Sequence, residues 1–238
     1  DLGYEARNVA ISYGRNAEAV FNKTLAKKKT PDIVRAMHEA SCSLRPENMA
    51  VVESMLKQTS KRVEAMNCLY VLKQTGTAAD AATPTLRELI DRHNKGPLRE
   101  RTFGTYGSQD SDLADIQAVA VEVLAAVTKD QQACVPFVIK TMQEHRFIEV
   151  RLAALSALGT MGPNAKAAVP ALRTLLTRFE SNRQHQGIDM VMIAERVIGT
   201  LGAIGPDASD ALPELRRFLK DPTLAKPAEG AIQRIKSK

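Results

Sequence analysis

Residues 150–163 read Val-Arg-Leu-Ala-Ala-Leu-Ser-Ala-Leu-Gly-Thr-Met-Gly-Pro, and residues 193–206 read Ile-Ala-Glu-Arg-Val-Ile-Gly-Thr-Leu-Gly-Ala-Ile-Gly-Pro. Each stretch leads into a second motif, Val-Pro-Ala-Leu at 169–172 and Leu-Pro-Glu-Leu at 212–215. Both correspondences have the same offset of 43 residues. A fixed period of this length, with two apolar helical patterns in each copy, is typical of a helical solenoid. The two stretches therefore predict an all-α fold.

Each copy has the sequence of a helix, a turn and a second helix. Val150, Ala154 and Leu158 recur at the spacing of one helical face. Gly162 can adopt the positive φ that ends a helix, and the proline after it cannot continue that helix. Pro170 falls in the first turn of the second helix, where its missing N–H costs nothing. Because neither helix can bury its apolar face alone, neighbouring copies are expected to stack.

These motifs resemble the HEAT repeats, in particular the bacterial subtype with Val-Arg, Ala-Leu-Gly and Val-Pro-Ala-Leu signatures. The resemblance is specific over residues 147–220, fair over 61–91 and 115–143, and loose over 30–60. It implies a right-handed α-solenoid of stacked antiparallel helix pairs. One position departs from the family pattern, because the equivalent of Arg151 in the next copy is Ala194.

The repeat frame predicts one continuous domain over residues 1–238. An N-terminal helical cap is expected at 1–29, followed by repeats at 30–60, 61–91, 115–144, 147–179 and 191–221. Residues 222–238 are expected to form a half repeat with an open apolar end. Such an end would favour end-to-end self-association, giving homo-oligomer or filament contacts, or capping by a partner.

Residues 92–114 interrupt the frame and are predicted to form an insertion loop. Loops longer than about 12–15 residues without regular structure are usually functional or disordered. This loop places arginines before two aromatic residues set among glycines, and exposed aromatics beside arginine are typical of partner-binding surfaces. The predicted partner-binding residues are Arg92, Arg99, Arg101, Phe103 and Tyr106.

A second candidate surface is a row of arginines. Arg87, Arg173 and Arg216 each stand three residues after a motif proline, in a chain with a net charge of +6. The family resemblance implies that second helices line the concave side, where these arginines would face an acidic partner. The competing interpretation is stacking between repeats and ordinary solvated charge.

The sequence contains no recognisable reaction centre. None of the four histidines stands at metal-ligand spacing from a cysteine or carboxylate, and phosphate-binding glycine loops and Gly-x-Ser-x-Gly are absent. His38, His93 and His145 fall near predicted helix ends or turns, where an exposed side chain is the ordinary expectation. We therefore expect no metal, no cofactor and no catalytic residues.

Three scattered cysteines, Cys42, Cys68 and Cys134, fall within or beside apolar helical patterns. They are predicted to be buried small side chains, with a Cys42–Cys68 bridge as the alternative. The chain begins at Asp1 without Met, which favours an exported bacterial protein or one of an organelle lumen; a cytoplasmic location is the alternative.

These features predict a non-catalytic adaptor or assembly subunit that binds other protein subunits, including subunits with acidic surfaces. Membrane insertion is not expected, because no apolar run reaches the roughly 20 residues that a spanning helix needs. Nucleic-acid binding along a basic track is the first alternative, although the chain has no Trp and few suitable aromatics on its second helices. A bilin-lyase-like protein is the second alternative, because some bilin lyases share this repeat subtype.

Overall fold

The computed structural model describes residues 17–59, 61–92, 94, 108–181 and 188–237, and the elements assigned over them are α-helices and short 3-10 helices. These helices belong to two compact units, which divide between Lys129 and Asp130. The division falls inside the predicted repeat 115–144. The prediction of a single domain with those repeat boundaries stays a prediction.

The first unit contains three first helices that lie side by side, with second helices packed against them. Helix α2 packs on α4 and α4 packs on α6, while α3 contacts α4 and α5 contacts α6. The helices are α1 (Glu18–Lys28), α2 (Pro31–Glu39), α3 (Met49–Gln58), α4 (Arg62–Thr75), α5 (Thr83–Asp91) and α6 (Ser108–Val127).

The second unit repeats this arrangement. Helix α8 packs on α10 and α10 packs on α12, while α9 contacts both α10 and the next second helix, α11. The helices are α7 (Gln131–Glu144), α8 (Ile148–Met161), α9 (Val169–Ser181), α10 (Ile188–Ile204), α11 (Leu212–Arg217) and α12 (Ala225–Lys236). The predicted all-α class of stacked helix pairs is therefore confirmed within each unit.

The turn inside three of the pairs, α4–α5, α8–α9 and α10–α11, is built on a glycine with positive φ. Gly162 has φ 55° and ψ −129°, a combination that essentially only glycine adopts, and Gly76 and Gly205 have φ of 62° and 75°. A 3-10 helix then runs from Gly162 to Ala168 before α9 begins, and Gly205–Ala211 does the same before α11. The predicted glycine turn is confirmed, and it is longer than the sequence suggested.

The predicted apolar face of α8 is the core of its repeat. Val150, Ala154 and Leu158 are each 0% exposed, so the helical spacing read from the sequence is confirmed. On α9, Leu172 and Leu176 are equally buried. Burial of each valine or leucine in this set contributes about 1.5–3 kcal/mol, which makes this stacked interior the main source of stability.

The insertion is shorter than the sequence predicted. Helix α6 begins at Ser108, so the last residues assigned to the loop are helical. Asp112 lies in this added part of the helix, with its Oδ1 3.6 Å from Nε of Arg62, and Asp115 just after it accepts a hydrogen bond from Arg62 Nη2 at 2.9 Å. The sequence missed this extension because its stabilising partner stands on α4, far away along the chain.

The predicted open apolar end is wrong. Helix α12 turns its apolar side chains, including Ala228, Ile232 and Ile235, into the stack, where they are buried. Its exposed side chains are polar: Lys226, Glu229, Gln233, Arg234 and Lys236. Helix α12 therefore presents no apolar end in the described part of the chain, and the expected end-to-end association stays a prediction.

The structure also shows the environments of the three cysteines and of His145. Cys42, Cys68 and Cys134 are buried thiols that form no disulfide with one another, so the alternative of a Cys42–Cys68 bridge is wrong. Burial, with a smaller effect of the Glu64 charge, raises the pKa of Cys68 to about 12. His145 is 0% exposed rather than on the surface, and its buried Nδ1 accepts a hydrogen bond of 3.3 Å from the backbone N–H of Phe147.

Candidate protein-interaction surface

The predicted insertion site lies mostly outside the described residues. Arg99, Arg101, Phe103 and Tyr106 belong to that part, so their role in binding stays a prediction. Arg92 follows the last residue of α5 and has a half-buried side chain. Its carbonyl accepts a hydrogen bond of 2.7 Å from the Nε2 of buried Gln117, which also donates to the carbonyls of Leu89 and Ile90. The hydrogen bond from Gln117 therefore holds the backbone of Arg92 in position and does not involve its guanidinium group.

The three arginines of the predicted row have different environments. Arg87 lies on α5 in the first unit and is half-buried, whereas Arg173 and Arg216 lie on α9 and α11 in the second unit. Arg173 is half-buried and Arg216 is exposed. These positions do not test whether the three act together in binding, and that role stays a prediction.

Arg173 joins one second helix to the next. Its Nε and Nη2 donate to Oε1 of Glu214 on α11, at 3.1 and 2.8 Å. Burial alone would raise the pKa of the Glu214 carboxyl, but the hydrogen bond and the positive charge of Arg173 outweigh it, so the pKa is lowered. Arg173 therefore makes a contact between adjacent second helices, as the interpretation of stacking between repeats predicted.

A second ion pair ties the same two helices together. Nη1 of Arg217 on α11 lies 2.9 Å from Oε2 of Glu180 on α9. The next carboxylate along the chain, Asp221, accepts hydrogen bonds from the backbone N–H groups of Thr223 and Leu224. The carboxylates of α9 and α11, Glu180 and Glu214, are thus each paired with an arginine, and Asp221, which follows the 3-10 turn Phe218–Lys220, binds backbone N–H groups.

Three cations on these helices remain without an acidic partner. Arg178, Arg216 and Lys220 are exposed, and neither an ion pair nor a side-chain hydrogen bond joins them to any residue that the structure describes. We call these three residues the basic second-helix surface. A groove of about 330 Å³ lies beside Arg178, and Arg173 and Glu214 also line it.

The corresponding helices of the first unit, α3 and α5, carry two basic and three acidic side chains and so have no excess of positive charge. Nζ of Lys57 on α3 lies 3.5 Å from Oε2 of Glu88 on α5. On the same pair of helices, the Thr85 hydroxyl donates to Oε2 of Glu53 at 2.9 Å. The excess of positive charge on second helices is therefore a property of the second unit. Arg178 and Lys220 could not be identified from the sequence. Only the structure shows that the neighbouring carboxylates are paired with other arginines, which leaves these two cations without an acidic partner among the described residues.

The Arg173–Glu214 pair predicts a pH dependence of stability. Because folding lowers the pKa of Glu214, the pair stabilises the fold fully above the ordinary value of 4.5. That contribution is lost as pH falls through the lower folded-state value. Urea unfolding of the wild type should therefore show a steeper loss of stability below about pH 4.5 than Glu214→Gln does. Parallel curves for the two proteins would contradict this assignment.

Among the described residues, no group of three or more His, Cys, Asp or Glu side chains could hold a metal ion. Over the same part of the chain, no helix combines the length and apolar character needed to cross a membrane.

Comparisons with known proteins support the repeat assignment. No curated protein shows a significant sequence match to this chain. The crystal structure of an engineered protein is similar over 99% of this chain and 93% of its own length, at 16% identity and a TM-score of 0.49, which supports no inference here. Residues 150–178 match the family model described as the PBS lyase HEAT-like repeat. The chain therefore carries a HEAT-like repeat at α8 and α9, as its resemblance to that family predicted.

Proposed function

We propose that this protein is a non-catalytic adaptor that binds an acidic partner protein through the basic second-helix surface. HEAT-like repeats are commonly protein-interaction scaffolds, and stacked helix pairs present long side-chain surfaces for that purpose. The observation that carries the proposal is the set of unpaired cations Arg178, Arg216 and Lys220 on helices whose acidic groups are already occupied.

The electrostatics favour association with an acidic surface. Arg173 and Arg217 are already neutralised by Glu214 and Glu180, so an incoming carboxylate meets the remaining three cations without displacing an internal pair. Complementary charge of this kind raises the association rate and selects against basic partners. Arginine suits the task, because its planar guanidinium can hold a carboxylate through two parallel hydrogen bonds.

The proposal is tested by affinity capture from the source organism, followed by mass spectrometry. Reversing the three charges together (Arg178→Glu, Arg216→Glu and Lys220→Glu) should abolish capture of the partner. Since all three residues are exposed, thermal stability should stay within about 1 kcal/mol of the wild type.

A matched control changes the same net charge elsewhere in the second unit. Arg196→Glu, Lys226→Glu and Lys236→Glu reverse three exposed cations on the first helices α10 and α12. This variant should retain the partner. Equal capture by both triple variants, or equal loss from both, would contradict the proposed surface.

Two alternative functions are separated by simple measurements. A nucleic-acid binder would show tight binding to duplex DNA that falls steeply between two salt concentrations. A bilin lyase is suggested by the description of the matched family model. Co-expression with a bilin and its acceptor protein should give no coloured adduct if the adaptor proposal holds.

A further inference from the structure

We propose that this protein forms a two-fold symmetric dimer in which α10 of one copy packs antiparallel against α10 of a second copy. Helix α10 is an interior helix of the second unit, because it packs on both α8 and α12. Part of its surface is nevertheless exposed and lines a groove. The inference goes beyond the proposed function, because that function concerns the second helices and this surface belongs to first helices.

A groove of about 580 Å³ lies between α8 and α10. Ser156, Gly159 and Gly199 line it and are too small to fill it, and a Cβ at Gly199 would meet nothing within 4 Å. Thr200 fixes the spacing of the two helices, because its buried Oγ1 donates to the carbonyl of Leu155 at 2.9 Å. The groove is therefore a fixed feature of the way the two helices pack.

Four residues of α10 line the groove at the i, i+3, i+4 and i+7 spacing of one helical face. They are Met192, Glu195, Arg196 and Gly199. Met192 is 39% exposed, one of four large hydrophobic side chains exposed in the described part of the chain. Glu195 and Arg196 are exposed, and neither side chain has an ion pair or hydrogen bond with the residues that the structure describes.

The order of these four residues makes the face complementary to itself. In a two-fold symmetric contact, residue i of one copy meets residue j of the other, and j meets i. When the axis passes between positions 195 and 196, Glu195 of one copy meets Arg196 of the second copy. The same register brings Met192 over Gly199 of the second copy. The dimer therefore gains two ion pairs, and each methionine lies over a position that has no side chain.

The charges favour a second copy over a partner of one sign. An acidic surface would be repelled by Glu195, and a basic surface would be repelled by Arg196. A surface with both signs in the opposite order satisfies both residues, and the same helix turned through 180° is such a surface. Met192 is unbranched and flexible, so it can adapt to the shape of the groove.

The test is a charge-swap series on the full chain, followed by sedimentation equilibrium. The proteins are the wild type, Glu195→Arg, Arg196→Glu, the double variant with both changes, and the control Lys226→Glu on α12, which reverses another exposed charge. Salt is kept at about 50 mM, where exposed charges are weakly screened. Because the contact is small, we expect the wild type to dimerise with a Kd of about 10–100 μM.

Each single variant places like charges together at both symmetric contacts, and it should weaken the dimer at least tenfold. The double variant exchanges the two charges and restores both ion pairs, so it should dimerise like the wild type and like Lys226→Glu. An equimolar mixture of the two single variants should form a heterodimer, because one carries two arginines at these positions and the other carries two glutamates.

A wild type that stays monomeric at about 500 μM would overturn the inference. So would a dimer that both single variants leave intact, since it would use another surface, or a double variant that dimerises no better than the single ones. Recovery in the double variant and in the mixture excludes misfolding as the cause of the loss. None of these outcomes bears on the proposed function, because the cations of the basic second-helix surface are unchanged in every protein.

Discussion

Asn22→Asp should destabilise the protein by about 3–5 kcal/mol, although the two side chains have nearly the same shape. Asn22 lies on α1 and is 1% exposed. Its Nδ2 donates to the carbonyls of Glu18 and Ser43, both at 2.9 Å. Its Oδ1 accepts from the backbone N–H of Arg45 and from Nδ2 of Asn48, at 2.8 and 2.9 Å.

An aspartate at this position keeps the two accepted bonds and loses the two donated ones. It also places a buried negative charge against two carbonyl oxygens, which is the more costly change. The penalty should shrink as pH falls towards about 4, the ordinary pKa of aspartate, because burial raises the folded-state pKa and the buried carboxyl is protonated already at higher pH. Urea unfolding at several pH values measures this dependence.

The control for this prediction is Asn67→Asp. Asn67 is half-buried on α4, and no hydrogen bond joins its side chain to the described residues. Its substitution should cost less than about 1 kcal/mol. Similar losses for the two variants would mean that the Asn22 contacts contribute little.

Gly202→Ala should destabilise the protein by about 2–3 kcal/mol. A Cβ at Gly202 on α10 would lie 2.9 Å from Cα of Ala231 and 3.0 Å from Nε of Arg234, both on α12. The arginine can move, but the Ala231 backbone cannot without separating the two helices. Because α12 covers this end of the described stack, we expect a lower Tm in thermal unfolding.

Gly199→Ala is the matched control on the same helix. A Cβ at Gly199 would meet nothing within 4 Å. Replacing a helical glycine by alanine should then stabilise the protein by about 0.5–1 kcal/mol. The two alanine variants should therefore change Tm in opposite directions. A rise in both would show that α10 and α12 do not approach as closely as described.

The repeated sequence predicts those features that depend on local chemistry. Gly162 and Gly205 end first helices with positive φ, and Pro170 and Pro213 lie in the first turn of second helices. Each of these follows from what glycine or proline allows at its own position. Together with the 43-residue period, they suffice for the all-α class and the helix pairs.

Features that depend on contacts distant in sequence were not predictable in this way. The pairing of Arg173 with Glu214 joins residues 41 positions apart. The sequence alone did not distinguish this ion pair from an arginine that is exposed to solvent. The burial of His145 and the start of α6 at Ser108 likewise depend on three-dimensional neighbours. The candidate surface can be identified only from the structure. The structure shows which carboxylates are paired and which cations have no acidic partner among the described residues.

We propose that unpaired cations on the second helices of the second unit hold an acidic partner. The most direct test of this proposal is the Kd of the captured partner for the wild type and for the two triple charge-reversal variants, measured at about 50 and 200 mM salt. We predict at least a tenfold loss for the Arg178, Arg216 and Lys220 variant at low salt, and a much smaller change for the Arg196, Lys226 and Lys236 variant. Equal Kd values for the two variants would contradict the claim.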